Sequence, residues 1–107
     1  LDAYVATAKA DYAAWWGAKA SEPNVQKMIE DFDIRYEVGS TYIKVVECDK
    51  GKSRSVHSFI VNKDTPKFKV GTVLKAASWK APATNFARGN INDVASYANR
   101  VRWTGVM

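Results

Sequence analysis

The sequence predicts an α+β protein, with an N-terminal helical pair packed on a small, strongly curled antiparallel β-sheet or barrel of about five strands. Three observations carry that reading. Apolar residues recur at helical spacing up to about residue 31, the period switches to two at Phe32, and turn signals then separate several short alternating runs. With 107 residues there is room for one domain and one core, divided into a helical segment 1–31 and a β-rich segment 32–107.

From Leu1 to about Ala20 the chain is Ala-rich and free of Pro and β-branched runs; Tyr4, Ala8, Tyr12 and Trp15 form a stripe that Val5 and Trp16 widen. Gly17 weakens the last turn of this helix. Ser21 is placed to cap a second helix and Pro23 suits its first turn, after which Val25, Met28, Ile29 and Phe32 share a face. An antiparallel arrangement of the two helices is expected. Phe32, Ile34, Tyr36 and Val38 then alternate with Asp33, Arg35 and Glu37, as in a strand with one wet face. Gly39-Ser40 supplies a tight hairpin with left-handed freedom, and the next strand runs from Thr41 to Cys48. Asp49-Lys50-Gly51-Lys52 is a turn, and a third strand follows from about Arg54 to Asn62. After Lys63-Asp64-Thr65-Pro66, the alternation Phe68, Val70, Thr72, Leu74 predicts a fourth strand with Gly71 at a bulge. Residues 79–93 show no period and read as a long loop, the kind that carries function in a small domain. A last strand is expected over about Asn99 to Thr104, with Val101 and Trp103 on one face and Arg100, Arg102 and Thr104 on the other.

Charge divides at the same boundary. Residues 1–37 hold four basic against seven acidic residues, a net of −3, whereas residues 38–107 hold twelve basic against four acidic, a net of +8. Such a split serves either as an attraction between the two segments or as a basic face for a polyanion. One cysteine, Cys48, excludes an intrachain disulfide and a multi-Cys zinc site and suits a reducing compartment. No run approaches the roughly 18 apolar residues that span a bilayer, so a soluble, cytoplasmic protein without a membrane partner is expected. Because the chain opens on Leu1 and not on Met, Leu1 is read as a trimmed end.

Catalytic groups are scarce. His57 is the only imidazole, and regular strand parity places it with Phe59 and Val61, away from Val56 and Ile60. Ser55, Ser58 and Cys48 make no recognisable motif with it, so a structural histidine outweighs a general base and no catalytic residue is assigned. Asp31, Asp33, Glu37 and Glu47 lack metal-cluster spacing, no Gly-rich phosphate loop is present, and neither metal nor cofactor is expected. Basic residues beside aromatics are more informative. Lys75, Trp79 and Lys80 lie close in sequence, Arg88 sits in the long loop, and Arg100 and Arg102 flank the last strand; cations neutralise phosphates while flat rings stack on bases. Trp103 faces away from Arg100 and Arg102 by parity and is assigned to the core, which leaves Trp79 as the exposed ring. A protein partner or homodimer would instead use Trp15 or Trp16, which point about 100° apart on the helix so that one is left at the core's edge.

Lys75-Ala76-Ala77-Ser78-Trp79-Lys80-Ala81-Pro82-Ala83, Asn85-Phe86-Ala87-Arg88-Gly89-Asn90-Ile91 and the closing Arg102-Trp103-Thr104-Gly105 give residues 42–107 a wording that resembles small uncharacterised proteins of tailed bacteriophages. The resemblance implies synthesis in a host bacterial cytoplasm and brings no catalytic or ligand motif. It is compatible with DNA-related and host-directed roles alike. From the residues, the expected function is a non-enzymatic binding module whose basic surface, centred on Lys75, Lys80, Arg88, Arg100 and Arg102, contacts nucleic acid or another polyanion. The alternative is a protein-interaction or assembly module working through the aromatic N-terminal helix.

Overall fold

The computed structural model describes residues 1–107. Helix α1, Asp2–Trp16, stops where Gly17 takes φ 58°, a left-handed value that few residues other than glycine adopt. A 3-10 turn over Gly17–Ser21 leads to α2, Pro23–Asp31. Glu22, and not the expected Ser21, is the cap of α2, because a residue before proline is driven extended and the helix can start only at Pro23.

Five strands follow, β1 (Phe32–Val38), β2 (Tyr42–Asp49), β3 (Lys52–Val61), β4 (Thr72–Lys75) and β5 (Gly89–Asn90), joined antiparallel in chain order. The α+β class stands, but the sheet neither closes nor curls strongly: β1 and β5 are its two free edges. With four residues in β4 and two in β5, the last strands are too short to carry the sheet round to β1. The fourth strand starts at Thr72, later than its alternation predicts. Backbone groups of the preceding segment are already committed, with the Thr65 amide donating to the Phe68 carbonyl at 2.8 Å and the Val70 amide to the Asp64 carboxylate at 2.8 Å. Gly71 sits in the turn before β4 at φ 90°, and an added Cβ there would lie 2.7 Å from Asn90 Oδ1. Gly39 shows no left-handed φ. It is required by space, since a Cβ would meet the Tyr42 carbonyl oxygen at 2.7 Å.

The C-terminal part departs most from expectation. In place of one strand from Asn99 to Thr104 there is a single helical turn, α3 (Val94–Tyr97), followed by a two-stranded ribbon of β6 (Val101–Arg102) and β7 (Gly105–Val106).

The core lies between one sheet face and α1. Tyr4, Ala8 and Tyr12 of α1 pack with Phe32, Ile34, Val45, Ile60 and Val73 of the sheet and with Tyr97, Val101 and Val106 from the C-terminal elements. Trp15 does not join that stripe; Trp16 is the one packed against the core. On the opposite sheet face Phe59, Val61 and Leu74 form a smaller cluster covered in part by Phe68 and Ala76. Two bulges shape β3. Val45 pairs with Ser58 while Val46 pairs with Val56, so His57 is an extra residue, and Arg54 is a second one.

Candidate anion-binding cleft

The bulge at His57 overturns the parity expected from the sequence. An extra residue shifts the alternation, so His57 and Ser58 both reach the α1 side of the sheet, where Tyr4 meets the His57 ring edge to face at 5.8 Å and Ser58 Oγ at 2.6 Å. The proton positions follow from the end that cannot donate. His57 Nε2 is 2.7 Å from the Arg102 carbonyl oxygen, so Nε2 carries hydrogen. In the neutral ring Nδ1 then accepts, 2.8 Å from Ser58 Oγ, which donates to it and in turn accepts from the Tyr4 hydroxyl. Burial holds His57 below its ordinary pKa, outweighing the Arg102 carbonyl that favours the charged ring, and burial pushes the Tyr4 hydroxyl up. Ser58 is 0% exposed and His57 2%, and the polar atoms of both are taken up by this network. The network fixes the backbone of Arg102.

Above that fixed point lies a cleft of about 450 Å³ lined by Val56, His57, Lys75, Ala76, Arg88, Arg102 and residues 104–107. Three of the sequence-predicted cations meet here from three separate elements, with no aspartate or glutamate side chain among the lining residues. Lys75 ends β4. The Ala83 amide donates to the Lys75 carbonyl at 2.7 Å, folding residues 76–82 out as a tight protrusion, and the Arg88 amide donates to the Val73 carbonyl at 2.8 Å, returning the chain alongside β4. Arg88 then lays its guanidinium 3.8 Å from the centre of the Phe86 ring, with Nε buried and without a hydrogen-bond partner. Arg102 stands on β6 and commits one Nη1–H to the Val101 carbonyl at 3.1 Å. Neither of the two ion pairs in the protein involves these residues: Lys9–Asp33 at 2.8 Å and Arg35–Asp33 at 3.1 Å both lie within residues 1–37. The opposite charges of the two segments are therefore not matched by ion pairs between them.

The remaining predicted residues are distributed. Trp79 and Lys80 ride the protrusion; Trp79 is 46% exposed, with Lys44 Nζ 5.0 Å from its ring centre, and Lys80 lines a separate groove with Lys44. Arg100 lies outside the cleft, in the turn before β6, because the strand that would have aligned it with Arg102 does not form. Trp103 lies part-buried in the turn between β6 and β7, packing on Tyr12 at 4.9 Å and on Phe32 at 6.0 Å at the core's edge although the strand whose parity assigned it to the core does not form, and its amide donates to Asp11 at 2.9 Å. Trp15 is 62% exposed and Trp16 is the packed member of the pair. Sequence reasoning missed the positioning role of His57 and did not count Thr104, which lines the cleft, among the site residues. No sequence signal marks the bulge that turns His57, although Ser58 beside the only histidine was visible.

These features define a small α+β protein with a cation-lined cleft where β4, the long loop and the C-terminal ribbon meet. Residues 4–107 match DUF7717, a family of unknown function, and the chain belongs to that family. No curated protein and no solved structure matches it significantly.

Proposed function

We propose that the protein is a non-enzymatic binding module that takes a phosphate-bearing polyanion, of which nucleic acid is the preferred case, in the cleft of Lys75, Arg88 and Arg102. One observation supports this above the others: three cations from distant segments line one cleft with no aspartate or glutamate side chain among them, and Arg88 offers a buried Nε–H that nothing in the protein accepts. A buried unpaired donor on a charged group is costly unless a partner arrives, and a guanidinium matches a phosphate through two parallel hydrogen bonds. The test is binding of short single- and double-stranded DNA and RNA across a salt series. Affinity should fall steeply with salt, with a slope reduced by about 0.7 to 0.9 for each phosphate contact removed, as in Arg88→Gln. No binding at low salt overturns the proposal.

A second reading is favoured by Trp15, which stands exposed beside Trp103 and Trp16 at 5.5 and 5.0 Å. Such a shelf suits a protein partner or a second copy of the chain. Sedimentation decides that reading, since a monomer at all concentrations removes the homodimer.

A further inference from the structure

Two further hollows adjoin the cation-lined cleft, each sharing two lining residues with it. On one side the hollow under Trp79, about 310 Å³, shares Val56 and Ala76 with the cleft and adds Arg54. On the other side a hollow of about 470 Å³ between Trp15 and Trp103 shares Arg102 and Thr104 with it. The cations thus lie in the middle of one track and exposed indoles stand at both ends. Along the track the one acidic side chain is Asp11, whose Oδ2 already accepts from the Trp103 amide.

From this arrangement we propose that the ligand is single-stranded nucleic acid, with its phosphates over Lys75, Arg88 and Arg102 and unpaired bases stacked on Trp79 and on Trp15. The proposal rests on the polyanion reading and narrows it. A simple polyanion has no flat group for an indole, and a duplex keeps its bases stacked on one another, so only an unpaired strand uses both parts of the track. Lys44 over the Trp79 ring and Arg54 in the same hollow as Trp79 extend the positive charge to that end. Ring stacking tolerates any base, so little sequence preference is expected.

The experiment compares, at one low salt concentration, an oligothymidine, a duplex of similar length and inorganic polyphosphate, each with the wild-type chain and with Trp79→Ala, Trp15→Ala and Trp79→Phe. The single strand should bind about ten-fold more tightly than the duplex, and each alanine variant should lose roughly five- to a hundred-fold for the single strand alone, Trp79→Phe recovering much of the loss. Polyphosphate affinity should be unchanged by all three variants, which also shows that they remain folded. Equal affinities for the three probes, or alanine variants that bind the single strand like wild type, overturn the single-strand proposal and leave the basic cleft standing. Failure of all three probes to bind overturns the polyanion reading and this proposal with it.

Discussion

A proton added to His57 has one place to go. Nε2 already bears hydrogen toward the Arg102 carbonyl, so protonation falls on Nδ1 and confronts the hydroxyl that Ser58 donates to it. Ser58 would then have to reverse, and Tyr4, which donates to Ser58, would be left facing another donor. The unfolded chain meets no such conflict and takes up the proton near its ordinary pKa of 6.5, whereas the folded chain holds out to lower pH. Since the unfolded state binds more protons in that window, stability is complete above about pH 6.5 and is lost as pH falls through the folded pKa, at up to about 1.4 kcal/mol per pH unit. Glutamine can keep both hydrogen bonds, donating to Arg102 and accepting from Ser58, without titrating. Urea midpoints measured from about pH 7.5 to about pH 5 should therefore show the wild type losing more stability than His57→Gln. Parallel pH profiles for the two would rule out the neutral buried ring.

At the level of elements, the β2–β3 hairpin carries a local strain. Its two central residues, Lys50 and Gly51, have φ 52° and 78°, as a two-residue link between right-twisted strands requires, but only Gly51 is free of the Cβ penalty. Lys50→Asn should stabilise the protein by about 0.5 to 1 kcal/mol, because asparagine tolerates this conformation, with no change in the cleft. Thermal melting checks it, and an unchanged or lower midpoint would count against strain at Lys50. That turn was readable from Asp49-Lys50-Gly51-Lys52, as were α1, α2 and β1 to β3, because each has either enough residues to show a period or a turn chemistry with one solution. The later elements were not. β5, β6 and β7 have two residues each and α3 has four, too few for periodicity to register. They are held by tertiary partners instead, as where the Ile91 amide donates to the Gly71 carbonyl at 2.9 Å and the Met107 amide to the Arg100 carbonyl at 2.9 Å. The same limit hid half of the candidate site: Lys75, Arg88 and Arg102 were visible as cations, but their convergence depends on those short elements, and Arg100 was grouped with them only because a regular strand was assumed.

For the molecule as a whole, the charge split acquires a direction. The segment 38–107 carries a net +8 and the segment 1–37 a net −3, yet the ion pairs stay inside the acidic segment and three cations line one cleft. Like charges brought together without a counter-ion repel, so the folded chain by itself gains nothing from having Lys75, Arg88 and Arg102 in one place. A bound anion would reverse that balance, stabilising the native state in proportion to its occupancy. Stability and binding should accordingly separate on mutation. Lys75 is exposed, makes no ion pair and lines the cleft, so Lys75→Gln should leave the melting temperature of the free protein unchanged or slightly higher, within about 0.5 kcal/mol. Oligonucleotide affinity should fall, and the stabilisation that a saturating oligonucleotide confers on the wild type should shrink with it. Melting curves of both chains with and without the oligonucleotide read the two effects in one experiment. A Lys75→Gln chain that melts well below wild type when free would show that the cation serves the fold, whereas equal ligand-induced shifts would remove Lys75 from the binding surface.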